Sequence, residues 1–176
     1  NTFGTLPNAH NGEGFSTARF QSGEFRKQKD LEQAHLALAF ESPSYLHDDI
    51  YTAQIYSIAL GGGMSSRLFQ EIRENHGLCY TIFAQVGAFS DTGMMTIYAG
   101  TNSEQLPQLM ELTFDELSRA AEDISQVELD RARAQMKAGM LMGLESASNR
   151  AERLARMTQI WGHVPLIEET VAKIEN

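Results

Sequence analysis

Arg73 and Tyr80 are the residues of this chain whose types and spacing best lend themselves to chemistry. Between them the sequence predicts the end of a short helix at Gly77 and the start of a strand near Cys79. Gly77 can take the left-handed conformation that closes a helix. Arg73 then falls in the last helical turn, Tyr80 at the strand start, and only a tight turn separates them. From there a guanidinium and a phenol, both hydrogen-bond donors, can point into one space and grip a peptide carbonyl. Local sequence alone favours a surface arginine beside a core tyrosine, and the chemical reading needs support from outside it.

Other chemistry finds less support. The histidines are His10, His35, His47, His76 and His163. None falls in a helical zinc motif, so no metal site is expected within this chain, and His35 reads as a buried or half-buried strand residue. Cys79 follows His76 by three residues, but a lone cysteine at a strand start reads as core. Glu71 and Glu74 share a solvated helix face. The methionines at 136, 140 and 142 read as core packing. Gly61, Gly62 and Gly63 precede a helix, as an anion-binding loop would, yet a phosphate loop needs a preceding strand and a following lysine. Here a helix comes first, so the glycines read as a helix–helix turn needing positive φ.

The elements that must position Arg73 and Tyr80 follow from periodicity. Residues 1–14, rich in Asn, Gly, Thr and Pro, read as a linker, and 15–176 as one domain. Phe15 to Gln21 and Phe25 to Gln28 are expected as short strands. His35 to Glu41 is a clearer strand, with Leu36, Leu38 and Phe40 on one face and Ala37 and Ala39 on the other. The small residues predict close packing on that second face. From Asp48, Tyr51, Ile55, Ile58 and Ala59 follow helical spacing. Ser65 or Ser66 is expected to cap the next helix, which buries Leu68, Phe69 and Ile72 and pairs Arg67 with Glu71.

Strands over 79–88 and 93–101 are joined by turn residues Ser90 to Gly93, which predicts an antiparallel hairpin. Three further helical stretches follow. One carries Leu106, Leu109 and Leu117, with Pro107 in its first turn. The next opens on a capping box, Ser125 with Glu128. The third runs from about Ser148 to Trp161 and stops at Gly162; Pro165 opens a last helix. The order predicts an α+β two-layer sandwich, an antiparallel or mixed sheet with helices on one face.

With 176 residues the chain fits one domain. Its formal net charge of −9 argues against nucleic acid. No apolar run is long enough for a membrane span, and residues 1–8 show no signal-peptide pattern. Cys79 is the single cysteine, so no internal disulfide forms. A first residue other than Met and an ending in mid-pattern at Asn176 suggest a piece of a longer protein.

The stretch Leu60-Gly-Gly-Gly-Met-Ser-Ser-Arg-Leu-Phe-Gln-Glu-Ile-Arg-Glu-Asn-His-Gly-Leu-Cys-Tyr80 closely resembles the C-terminal domain of the pitrilysin/insulinase family of zinc metallopeptidases, nearest to the mitochondrial processing peptidase and its bacterial homologues. Leu31 to Phe40, Asp91 to Gly93, Tyr98 to Thr101 and the late helix with Glu145 and Arg150 also match. The resemblance implies two homologous α+β halves closing around a chamber. The other half, or a homologous subunit, would hold the zinc and the catalytic glutamate. This half would supply Arg73 and Tyr80 to the peptide substrate, stabilising the carbonyl oxygen as it becomes negative.

On this expectation the fragment alone binds no zinc and cleaves nothing. It works beside its zinc-binding partner, in a homo- or heterodimer where the halves are separate chains. The alternative is an inactive partner or scaffold subunit of such a complex. The resemblance places it in the cytoplasm if bacterial, in the mitochondrial matrix if eukaryotic. Asn75-His76 depart from the family's common Lys-Arg, which removes local positive charge.

Overall fold

The structure, a computed structural model, describes residues 16–175; the expected linker over 1–14 and Phe15 lie outside them. Alternation drives β1 (Ala34–Ser42), which turns Leu36, Leu38 and Phe40 toward the core. It pairs antiparallel with β3 (Gly93–Thr101), and β3 pairs antiparallel with β2 (Thr81–Ala88). The sheet order is β1-β3-β2. The β2–β3 hairpin closes through Phe89 N–H donating to the Thr92 carbonyl at 2.8 Å.

Helices cover one face. α1 (Ile50–Gly61) lies against β2 and reads as apolar on both sides, because it is packed on both. Leu60 and Tyr56 face the sheet cluster, which also holds Ile97, Ala99 and Leu109. Ile55 and Ala59 face a second cluster with Ala132 and Ile174. α2 (Leu106–Asp123) completes the first cluster; α3 (Gln126–Gly143) and α5 (Ile167–Glu175) complete the second. α4 (Ala147–Trp161) buries none of its residues. The molecule is thus an α+β fold, an antiparallel sheet with helices on one side.

Several expectations are corrected. Residues 16–31 form no strand; they are exposed, so no buried side chains offset the entropy of ordering them. Ala37 and Ala39 are exposed, and no described element covers that face. His35 on the same face is exposed, its Nδ1 2.7 Å from the Tyr98 hydroxyl. Gly62 has φ −85°, and the described positive-φ glycines are Gly77 and Gly162. The glycine at 61 has another cause: a Cβ there would sit 2.4 Å from the Ala84 backbone nitrogen, so its absence lets α1 close on β2. Met142 is 64% exposed rather than core.

The strongest local signals agree with the structure. Ser125 and Glu128 form the reciprocal capping box of α3. Gly162, at φ 73°, terminates α4.

Candidate functional site

The segment between α1 and β2 is built from below. Leu68 and Ile72 are fully buried, and they fix one side of a π-helix over Phe69–Asn75. A π-helix places more residues in each turn than an α-helix, and such turns recur at functional sites. The expected serine cap is absent: the Ser66 hydroxyl donates instead to the Gly63 carbonyl at 2.5 Å. At the far end Gly77, with φ 63°, lets the chain reverse. There Gly77 N–H donates to Arg73 O at 3.1 Å and Leu78 N–H to Ile72 O at 3.0 Å.

Arg73 is exposed in the last turn, and its guanidinium carbon lies 4.5 Å from the centre of the Phe69 ring. That contact is a cation–π pair on a half-buried ring. Tyr80 is 60% exposed, so it is not a core tyrosine. Its N–H donates to the Gly100 carbonyl at 3.0 Å, which ties it to the end of β3. Cys79 between them is buried. Burial pushes its thiol above the ordinary value, and the Arg73 charge partly offsets this. Arg73 is therefore close enough to be felt electrostatically at the residue adjoining Tyr80. A thiol raised by burial is a poor nucleophile, and no hydrogen bond joins it to His76.

His76 and Asn75 turn back onto Glu71. Asn75 Nδ2 donates to the Glu71 carboxylate at 2.9 Å, and His76 Nδ1 stands 2.8 Å from the Glu71 carbonyl oxygen. A carbonyl only accepts, so that nitrogen carries the proton.

The π-helix is anchored by a residue whose partners lie far away in sequence. Arg67 does not pair with Glu71. Its Nη2 donates to Glu128 Oε2 at 2.9 Å and to the Asp123 carbonyl at 3.0 Å, and a further nitrogen bonds the Asp123 carboxylate. One guanidinium thus joins the start of the helix carrying Arg73 to the end of α2 and the cap of α3. The Arg67 hydrogen bond holds the Glu128 carboxyl down at about 2, against an ordinary 4.5. Nearby Glu116 is almost fully buried; desolvation raises its pKa despite its bond to Arg119.

The Phe69–Arg73 pair was visible as an i, i+4 spacing that sequence reasoning passed over. The Arg67 clamp had no local signal. Among the described residues no three His, Cys, Asp or Glu side chains are grouped so as to hold a metal ion. The guanidinium of Arg73 and the phenol of Tyr80 are not zinc ligands of the usual kind. No described helix is long and apolar enough to cross a membrane.

Comparison with known proteins adds an independent observation. The family model described as the peptidase M16 inactive domain matches residues 1–136. An uncharacterized zinc protease of Bacillus subtilis is 33% identical over 173 residues, 98% of this chain and 42% of that protein. An uncharacterized zinc protease of Rickettsia bellii is 37% identical over 163 residues, 92% of this chain and 40% of its own length. Among solved structures, a peptidase M16 inactive domain from Pseudomonas fluorescens superposes with a TM-score of 0.67 at 25% identity, covering 82% of this chain and 35% of that one. The chain spans about two fifths of the length of these curated relatives.

Proposed function

The chain belongs to the family of the peptidase M16 inactive domain, and from that premise we propose that it is the substrate-positioning half of a zinc-dependent endopeptidase. It closes the chamber over a peptide, and the metal is held by another domain or by a homologous subunit. Arg73 and Tyr80 are its catalytic residues.

One observation carries this reading. Both side chains reach solvent on either side of the chain reversal at Gly77, over a base of buried Ile72, Leu78 and Cys79. Ile72 and Leu78 lie beneath the turn, so little freedom remains in its backbone. Stacking on Phe69 removes rotamer freedom from Arg73 before any substrate arrives. A charged donor and a neutral donor on a rigid base suit the oxygen of a peptide carbonyl that gains charge as water attacks it. Such donors contribute most when they need not reorganise. Zinc would supply the activation of that water; the residues of this chain supply grip and orientation.

The test uses the full-length, zinc-loaded protein containing this chain. Arg73→Ala and Tyr80→Phe are each expected to lower kcat by about 100-fold, the typical cost of losing one oxyanion donor. Zinc content and thermal stability should stay at the parent level. Unchanged turnover in both variants would leave the chain a structural partner.

A further inference from the structure

Beneath α4 lies a cavity of about 310 Å³, bounded by α1, α3, α4 and α5. That volume is at the lower end of the roughly 300–1,000 Å³ range of small-molecule sites. None of its lining residues belongs to the segment carrying Arg73 and Tyr80. Its α3 wall is Met136, Gly139, Met140 and Gly143. Glycine weakens a helix interior, and packing does not demand it here: a Cβ at either position would meet nothing within 4 Å. Those positions leave open a channel along α3. Met157 and Trp161 of α4 face it, and α4 buries no residue of its own.

The polar part of the lining is lopsided. No acidic side chain lines the cavity, but Arg153 does. Its hydrogen bond is a long one, Nη2 to the Pro165 carbonyl at 3.4 Å, and no carboxylate lies within 4 Å of it among the described residues. A second cation, Arg156, sits 4.9 Å over the ring of Tyr45, which also lines the cavity. In a chain with net charge −9 this is a local reversal of sign, and it favours an anion. Guanidinium recognises carboxylate by paired, charge-assisted hydrogen bonds. A wholly apolar occupant would leave the Arg153 donors in the lining without a charged partner.

We propose that this cavity binds a medium-chain aliphatic carboxylate. Its hydrocarbon tail lies between the Met136–Gly143 face of α3 and Trp161, and its head pairs with Arg153. Occupancy would join α4 to the body of the molecule, which it otherwise touches only loosely.

Trp161 is the chain's single tryptophan, so its emission reports on the cavity directly. The experiment titrates the protein with sodium decanoate below its micelle concentration, and with decanol as the neutral control. Saturable one-to-one binding of decanoate with a blue shift is expected, and weaker binding of decanol. Arg153→Gln should weaken decanoate about tenfold, the scale of one charged hydrogen bond, and leave decanol unchanged. Gly139→Leu, which fills the channel, should abolish binding and raise Tm; if it fails to fold, Gly143→Leu asks the same question.

Unsaturable binding, equal affinity for decanol, or undiminished decanoate binding in Arg153→Gln or a folded channel-filling variant would overturn the proposal. So would a Trp161 shift that follows protein concentration alone, since a second copy would then be the occupant.

Discussion

The turn from Leu68 to Tyr80 and helix α4 are supported in opposite ways. Beneath the turn Leu68 and Ile72 have no exposed surface, and Arg67 pins the helix to two others at once. In α4 no residue is buried, Leu154 is 51% exposed, and the helix stands over a cavity. On the proposed function, the stiff base lies under the two donors that would hold a reacting carbonyl. The loose helix lies where little chemistry depends on position, and where a ligand or neighbour can still be accommodated. Local stability should therefore be higher under the turn than in α4.

Substitution beneath the turn should have the largest effect on folding. Ile72→Ala is expected to cost about 2–5 kcal/mol, as for other fully buried aliphatic residues, read as the shift in urea midpoint. A cost below that of an exposed substitution would remove the contrast between the regions.

The Arg67 clamp comes next. Glu128 titrates lower in the folded protein than its ordinary 4.5, so its contribution is complete above that pH and is lost as pH falls toward about 2. Over that window it should amount to about 2–3 kcal/mol. Comparing the acid limbs of stability for the parent and Arg67→Ala isolates the arginine's share: the parent should lose it on acidification, and the variant should already lack it at pH 7, keeping only the part that the Ser125 hydrogen bonds contribute. Parallel limbs would show that the bond seen here contributes nothing in solution.

A smaller effect of opposite sign is expected in the loose region. Gly139→Ala should stabilise by up to about 1 kcal/mol, because helix propensity improves and the added methyl meets nothing. Smallest of all, Leu154→Ala should change stability by less than about 0.5 kcal/mol. Thermal denaturation of both variants sharpens the comparison: a large loss at Leu154 would mean that α4 is firmly docked.

Much of the architecture was legible because its causes are local. The box at Ser125 and Glu128, the stop at Gly162 and the turn before Gly93 each draw on residues within about four positions of one another. The alternation in β1 named its buried face correctly through Leu36, Leu38 and Phe40, but the small residues Ala37 and Ala39, which predicted a covered second face, are exposed, because residue size alone does not say what packs on a face. Of the candidate site, residue type and spacing brought Arg73 and Tyr80 forward, and the family match covers the segment that carries both.

What the sequence by itself determined is the element order from β1 onward, the Ser125 capping box, the Gly162 stop, the β2–β3 turn, and a reversal of the chain at Gly77 between a cationic and a phenolic side chain. These are set by backbone geometry and short-range hydrogen bonding, which neighbours in sequence decide. Only the tertiary structure decided that Gly61 must lack a side chain to admit β2, that the Arg73 helix is wound as a π-helix, and that Arg67 ignores Glu71 for Glu128, 61 residues away. A guanidinium near several carboxylates joins the one that the packed fold holds in place, because the entropy of bringing that partner close has already been met by burial elsewhere.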